Sequence, residues 1–275
     1  MPELPEVETV MRGLKPHIEG AIIHDTVVRH HQLRWPISST LRDCLYQQRI
    51  NELTRRGKYL LMRVDAGTLI MHLGMSGSLR IVTHTTPLNR HDHVDIIFSN
   101  QKILRYTDPR RFGALVWTVD NPYNHVLLKS QGLEPLELDF TANYLKMRAQ
   151  HRHIAIKPFI MDSKIVVGIG NIYAAEALFL AGIHPSTPAG LLTELQCQQL
   201  VNSIKHVLQS AIKQGGTTVK DFINSDGKPG YFAQQLTVYG RAGLPCIQCQ
   251  APLSASKLGQ RSTVFCINCQ PMIGL

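Results

Sequence analysis

Two Cys-x-x-Cys pairs, Cys246-Ile-Gln-Cys249 and Cys266-Ile-Asn-Cys269, stand sixteen residues apart near the end of this 275-residue chain. No other local pattern restricts the folding of its segment so tightly. The spacing is that of four-thiolate zinc sites, where each pair occupies a tight turn and the four sulfurs close a tetrahedron. A closed set of four thiolates has no position for water, so the expected Zn2+, one per chain, is structural. The residues between the pairs must leave the site and return to it, which predicts a β-hairpin. Two disulfides are the alternative, and they require an oxidising compartment. Cys44 and Cys197 are isolated and read as ordinary buried thiols.

Upstream, the hydrophobic period changes once. Residues 22–29, 59–64, 68–73, 78–83, 94–98, 103–106 and 114–118 are short runs rich in β-branched and aromatic residues. Asp65-Ala66-Gly67 and Ser99-Asn100-Gln101 separate neighbouring runs as hairpin turns do. Seven strands at this spacing predict a sandwich or flattened barrel. A short helix is expected to cross it near residues 40–47. From about Leu136 the pattern becomes helical, over 140–149, 154–161, 171–181 and 193–214, with Gly182 and Gly215-Gly216 as stops. Residues 217–232 mix Gly, Pro, Asn and Asp and read as a long functional loop. The expected class is therefore α+β multidomain. Its parts are a β-sandwich domain over 1–133, a helical domain over 134–224, and the loop end with the four-cysteine hairpin over 225–275.

Charge narrows the partner. The first 140 residues carry 17 Lys/Arg and 15 Asp/Glu, while the remainder carries 12 and 5, out of a net +9. A basic second half suits a polyanion, most simply nucleic acid, or else only a soluble basic surface. No apolar run approaches the roughly 18 residues of a membrane span. The mixed, acidic N-terminus is not a secretory signal. A cytoplasmic protein is expected.

The first residues, Met1-Pro2-Glu3-Leu4-Pro5-Glu6-Val7-Glu8, offer chemistry. Removal of Met1 makes Pro2 an N-terminal secondary amine beside two carboxylates. Leu4, Val7, Met11 and Leu14 follow at helical spacing, and Pro5 suits a first turn that needs no N–H. The positive end of the helix dipole then disfavours protonation of the amine. Such an amine attacks sugar or carbonyl carbon to give a Schiff base. Taken alone, the segment reads better as an ordinary helix start with Pro and acids in favourable places.

Several segments together resemble the bacterial formamidopyrimidine-DNA glycosylase family. They are Pro2–Thr9, His72-Leu-Gly-Met-Ser-Gly-Ser-Leu79, Tyr106-Thr-Asp-Pro-Arg-Arg-Phe-Gly113, Gly168-Ile-Gly-Asn-Ile-Tyr173, Gly215-Gly-Thr-Thr218, Asp226-Gly-Lys-Pro-Gly-Tyr-Phe232 and the four cysteines. The resemblance runs in order over nearly the whole chain. It implies an enzyme that removes oxidised purines, 8-oxoguanine and formamidopyrimidines, from duplex DNA and then cuts the abasic strand by β,δ-elimination. It also implies a β-sandwich, a helix–two-turn–helix domain and a zinc finger, acting as a monomer.

By the same resemblance, Pro2 attacks the sugar, Glu3 moves protons, Glu6 supports them, and Lys58 and Arg261 serve phosphate binding and elimination. Met75, Arg110 and Phe112 match the residues that fill the hole left by an extruded base, which enzymes of this kind must take out of the stack. Asn171, expected to cap a helix after Gly168 and Gly170, suits a phosphate site. His72, His91, Arg152, Lys157 and Tyr239 fall at expected DNA contacts, although His151-Arg152-His153 departs from a more lysine-rich stretch. Two other readings stay open. One is an endonuclease VIII-like enzyme for oxidised pyrimidines, whose usual start, Pro-Glu-Gly-Pro, differs from Leu4 here. The other is a non-catalytic zinc-ribbon DNA-binding protein.

Overall fold

In the computed structural model, which describes residues 1–217 and 232–272, the described chain falls into two compact units. The first comprises residues 1–130 with 214–217, the second residues 131–213 with 232–272. No helix among the described residues is long and apolar enough to cross a membrane.

The first unit opens with α1 (Leu4–Ile18), whose buried stripe Leu4, Val7, Val10, Leu14 and Ile18 has the 3–4 residue spacing of one helical face. Eight antiparallel strands follow: β1 (Ile23–Val28), β2 (Ile50–Arg56), β3 (Tyr59–Val64), β4 (Gly67–His72), β5 (Ser78–Val82), β6 (Asp92–Phe98), β7 (Ile103–Thr107) and β8 (Ala114–Thr118). They form two four-stranded sheets, ordered β1-β6-β7-β5 and β2-β3-β4-β8. Their inner residues share one core, with Leu53, Leu60, Met62, Leu69 and Met71 from one sheet against Val94, Ile96, Leu104 and Tyr106 from the other. That is a sandwich. α1 lies against β2, β3 and β5, and α2 (Leu41–Leu45) against β1.

The sequence reading anticipates seven of these strands and omits β2. The register of β2 on β3 passes from Ile50↔Val64 to Glu52↔Arg63, so Asn51 is an unpaired bulge residue. The bulge resets the inward face, and Ile50 and Leu53 are both buried. Their three-residue spacing disguises the strand.

The second unit packs α3 (Ala142–Ala149), α4 (Ile156–Met161), α5 (Asn171–Leu180) and α6 (Glu194–Lys213) around Phe140, Leu145, Ile160, Leu178, Leu200 and Ile204. α5 is buried from Ile172 to Phe179 and touches α4, α6 and the hairpin. The hairpin between the cysteine pairs is β9 (Ser254–Leu258) and β10 (Arg261–Phe265), joined by Gly259-Gln260. Both turn residues have positive φ, +53° and +62°, as a two-residue type I′ connection requires. The expected long loop lies, from residue 218 to 231, outside the described residues.

Candidate active site and metal centre

At the N-terminus Pro2 is buried, and Glu3 and Glu6 are 3% and 2% exposed. The Glu6 carboxylate accepts two backbone bonds, from Glu3 N–H at 2.7 Å and from Thr217 N–H at 2.8 Å. Gly216 makes the second possible. Its φ is +81°, and a Cβ there would lie 3.0 Å from Glu6 Oε1. Glu6 thus fastens the start of α1 to the turn that follows α6.

Two residues further along α1, Glu8 pairs with Arg55 at 2.7 Å and Arg12 at 2.8 Å. Burial raises the Glu8 pKa, but hydrogen bonds and charge from the two guanidiniums outweigh it and leave the carboxyl below its ordinary value. Arg55 also donates to Gly57 O at 3.0 Å. Gly57, with φ +56°, makes the β2–β3 turn that presents Lys58. The Glu8–Arg55–Gly57 chain therefore couples α1 to the Lys58 turn. Tyr59, next in sequence, is paired with His72 across the sheet, their rings 4.6 Å apart. Burial, then the positive charges of Lys58 and Arg34, hold the His72 pKa down to about 4. The neutral ring accepts Gly74 N–H on Nδ1 at 3.1 Å.

Gly74 starts the loop carrying Met75. That loop lies directly on the one carrying Arg110 and Phe112, since a Cβ on Gly74 would fall 2.5 Å from the Phe112 carbonyl carbon. Met75 and Phe112 are 38% and 44% exposed, and the Arg110 guanidinium lies 4.8 Å from the Phe112 ring centre. Beside them is a cleft of about 540 Å³ lined by Gln32, Leu33, Arg34, Arg110, Arg111 and Phe112. His91 is half-buried, and its carbonyl accepts Asp108 N–H at 3.0 Å.

In the second unit the helix cap is Gly170, and Asn171 is the first helical residue, a correction to the expected cap. A glycine at the cap brings no side-chain acceptor, so the Asn171 amide turns instead to the hairpin and donates to Ser262 O at 3.0 Å. Lys157, which the resemblance places at a DNA contact, is 1% exposed. Its ammonium donates to Ser262 O at 3.1 Å and Thr263 Oγ1 at 2.8 Å, so it holds β10 against α4. This leaves Arg261, the exposed first residue of β10, fixed beside a cleft of about 190 Å³ lined by Lys157, Pro158, Met161, Asp162, Leu258 and Gly259. Arg152 is exposed after α3. Tyr239 is half-buried and donates its N–H to Glu176 Oε1 at 2.8 Å.

Sequence reasoning missed two carboxylates. Glu176, 4% exposed, accepts Thr237 N–H and hydroxyl, Val238 N–H and Tyr239 N–H. Its signal was available: it is the sole charge in the apolar run Ile172–Leu180. Asp108, fully buried, accepts Ser76 O–H, Tyr106 O–H and Gly113 N–H. A lone Asp before Pro reads as a turn residue, so it gave no signal.

The four cysteine sulfurs lie within 4.8 Å of one another, with Cys246–Cys269 at 3.8 Å and Cys249–Cys266 at 3.4 Å. Zinc–sulfur bonds of ~2.3 Å in a tetrahedron place sulfurs about 3.8 Å apart. The donor set fits a metal ion of that kind. None of the four is joined in a disulfide, and these separations exceed the ~2.05 Å of an S–S bond. Burial opposes ionisation, yet N–H groups of Cys249 and Gln248 and the neighbouring thiols hold the Cys246 thiol down to about 7.

A β-sandwich with a buried N-terminal carboxylate cluster and a helical unit bearing a four-thiolate hairpin define one class of protein. The family model for the formamidopyrimidine-DNA glycosylase N-terminal domain matches residues 1–115, and that for the H2TH domain of the same glycosylase matches residues 131–223. The chain belongs to the formamidopyrimidine-DNA glycosylase family. Over 270 residues it is 55% identical to the formamidopyrimidine-DNA glycosylase of Cellvibrio japonicus and 53% identical to that of Photobacterium profundum, covering 98% of this chain and 100% of each relative. The Lactococcus lactis Fpg in complex with an abasic site containing DNA superposes with TM-score 0.90 at 36% identity, covering 98% of this chain and 99% of that one. The MutM (Fpg) protein of Thermus thermophilus gives TM-score 0.86 at 34% identity over 99% and 100% of the two chains.

Proposed function

We propose that this protein is a base-excision DNA repair enzyme that removes oxidised purines from duplex DNA and cleaves the resulting abasic strand, with Pro2 as nucleophile. The observation that carries the reading is the Glu6 clamp, which holds the buried Pro2–Glu3 segment at the start of α1. Once Met1 is gone, the Pro2 amine sits at the positive end of that helix with a carboxylate on the adjacent residue. Its lone pair forms a bond to sugar C1′ while the bond to the damaged base breaks, and Glu3 manages the protons of base and ring oxygen. Opening of the sugar leaves an iminium between Pro2 and C1′. This iminium acidifies C2′–H, so loss of that proton expels the 3′-phosphate, and a second elimination expels the 5′-phosphate. Water then releases the sugar fragment and restores the amine.

Phosphate ends made in this way need cations. Lys58 is presented by its turn and Arg261 by the hairpin tip, and His72, His91, Arg152 and Tyr239 extend the contact. The N-terminus of α5, with Asn171, suits a phosphate in the same way. Lys157 acts from beneath, by fixing the hairpin. Zn2+ held by Cys246, Cys249, Cys266 and Cys269 supplies structure to that hairpin. Met75, Arg110 and Phe112 fill the space the damaged base leaves, two as apolar wedges and Arg110 by hydrogen bonding the orphaned partner base. The protein acts as a monomer in the bacterial cytoplasm.

Borohydride trapping tests the chemistry. Enzyme shown by intact mass to lack Met1 is expected to form a covalent adduct with 8-oxoguanine DNA through Pro2. Absence of any adduct sinks the proposal. Faster cleavage of thymine glycol opposite A than of 8-oxoguanine opposite C would point instead to an oxidised-pyrimidine enzyme.

A further inference from the structure

The three exposed wedge residues stand on two loops, and one buried group joins them. Asp108 is 0% exposed, and its carboxylate meets both loops. Oδ1 accepts the Ser76 hydroxyl at 2.7 Å, immediately after Met75. Ser76 Oγ in turn accepts Arg110 N–H at 3.1 Å. Oδ2 accepts Gly113 N–H at 2.9 Å, immediately after Phe112, and the Tyr106 hydroxyl at 3.1 Å. Each wedge residue is therefore at most one residue from a group bonded to this carboxylate, directly or through Ser76. Gly113 is part of the device. A Cβ there would lie 1.8 Å from the Tyr106 hydroxyl, so only glycine lets that hydroxyl reach Asp108 beside the Gly113 amide. The backbone of Asp108 adds to the hold, its carbonyl accepting His93 Nε2–H at 2.8 Å and Arg111 N–H at 3.2 Å.

An exposed Met and Phe gain nothing from solvent and have no core to fix them. Their geometry must be imposed through the backbone, and an anion with several donors is the strongest local means. We infer that Asp108 is the positioning residue of the base-extrusion wedge, setting Met75, Arg110 and Phe112 together as one rigid element. The inference rests on the glycosylase function proposed above. Asp108 touches no reacting atom. It acts only where a base must be expelled from a duplex and its place filled.

The experiment compares two substrates in the Met1-free, zinc-loaded enzyme. One is duplex DNA with 8-oxoguanine opposite C, read as single-turnover excision. The other is a single-stranded abasic oligonucleotide, read as borohydride trapping, which needs no extrusion. Asp108→Ala is expected to slow duplex excision about tenfold or more, the loss of several hydrogen bonds to a charged acceptor. Its trapping on the single strand should stay within about twofold, since the stacked-base step is absent. Asp108→Asn keeps an acceptor for Tyr106 and Gly113 while its amide donates to Ser76 Oγ, so it should recover most of the excision rate. Ser76→Ala removes the tie to the Met75 loop and the relay to Arg110 but keeps the Tyr106 and Gly113 bonds to Asp108, so it carries a smaller version of the same split, which covers the case of an Asp108→Ala chain that does not fold. Equal loss on both substrates, or no loss on either, overturns the inference. A wild-type enzyme inert on both would overturn the glycosylase reading itself.

Discussion

Glu176 makes a quantitative claim about how the four-cysteine module is attached. Its carboxylate accepts four hydrogen bonds inside the second unit, from Thr237 N–H at 2.9 Å, Thr237 Oγ1–H at 2.5 Å, Val238 N–H at 3.0 Å and Tyr239 N–H at 2.8 Å. The last two fall on Oε1 and the first two on Oε2. In Glu176→Gln the amide oxygen can serve Val238 and Tyr239, but the NH2 then faces Thr237 N–H, donor against donor. The Thr237 hydroxyl can rotate and accept. One backbone N–H is left unsatisfied and the retained bonds lose their charge, a cost of about 3 kcal/mol. The segment concerned leads into Cys246, and Val238, Cys246 and Cys266 share a small core with Ala175 and Phe179 of α5. The zinc-loaded variant should therefore unfold at lower urea by that amount. It should surrender zinc to a chelator about a hundredfold faster, if release passes through detachment of this segment. Glu176→Ala, which strands three amides, should exceed both effects. A Glu176→Gln protein within about 0.5 kcal/mol of wild type, the scatter of ordinary surface substitutions, with unchanged zinc release, would refute the reasoning.

Other outcomes follow from the same structure. His72 has a folded pKa of about 4, below the 6.5 of the free side chain, so the unfolded chain binds its proton first. Its contribution to stability is full above about pH 6.5 and is lost as pH falls towards 4. A urea-denaturation series should show that loss in wild type and a flatter profile in His72→Gln. Protein retaining Met1 should bind lesion DNA yet give no borohydride adduct, because the Pro2 nitrogen is then an amide; trapping by mass-verified Met1-bearing protein would contradict this. Arg261→Ala should reduce the slope of log affinity against log salt by about one, as expected for one lost phosphate contact, and an unchanged slope would remove Arg261 from the interface. Chelation of the metal should abolish DNA binding while circular dichroism of the β-sandwich persists.

Much of the architecture is written in local pattern. The cysteine spacing foretells the hairpin, and Gly215-Gly216 ends α6 as expected. Where pattern fails, the cause is tertiary. β2 is hidden because the Asn51 bulge puts Ile50 and Leu53 on one face at a spacing that strands do not normally show. Lys157 is read by resemblance as a DNA contact, yet the partners that permit its burial, Ser262 and Thr263, lie more than a hundred residues away. Asn171 is read as a cap because glycine caps have no side-chain signature. Asp108 and Glu176 gain their meaning only from donors that folding brings to them. The candidate residues, Glu6 among them, can be picked out from sequence motifs, but Asp108 and Glu176 cannot.

The bond from Thr217 to Glu6 spans 211 positions of chain. Synthesis runs from the N-terminus, so a growing chain has its Pro2–Glu3 segment, its β-strands and its Lys58 turn long before residue 217 leaves the ribosome. Until then the Glu6 carboxylate lacks the Thr217 N–H, and the turn that lies against it does not exist. An unfinished or prematurely terminated chain therefore carries its Pro2–Glu3 segment without the Thr217 bond to Glu6. The Glu6 clamp on the start of α1 is complete only once the Gly215-Gly216-Thr217 turn exists, so the last third of the chain is needed to finish a contact made by its sixth residue.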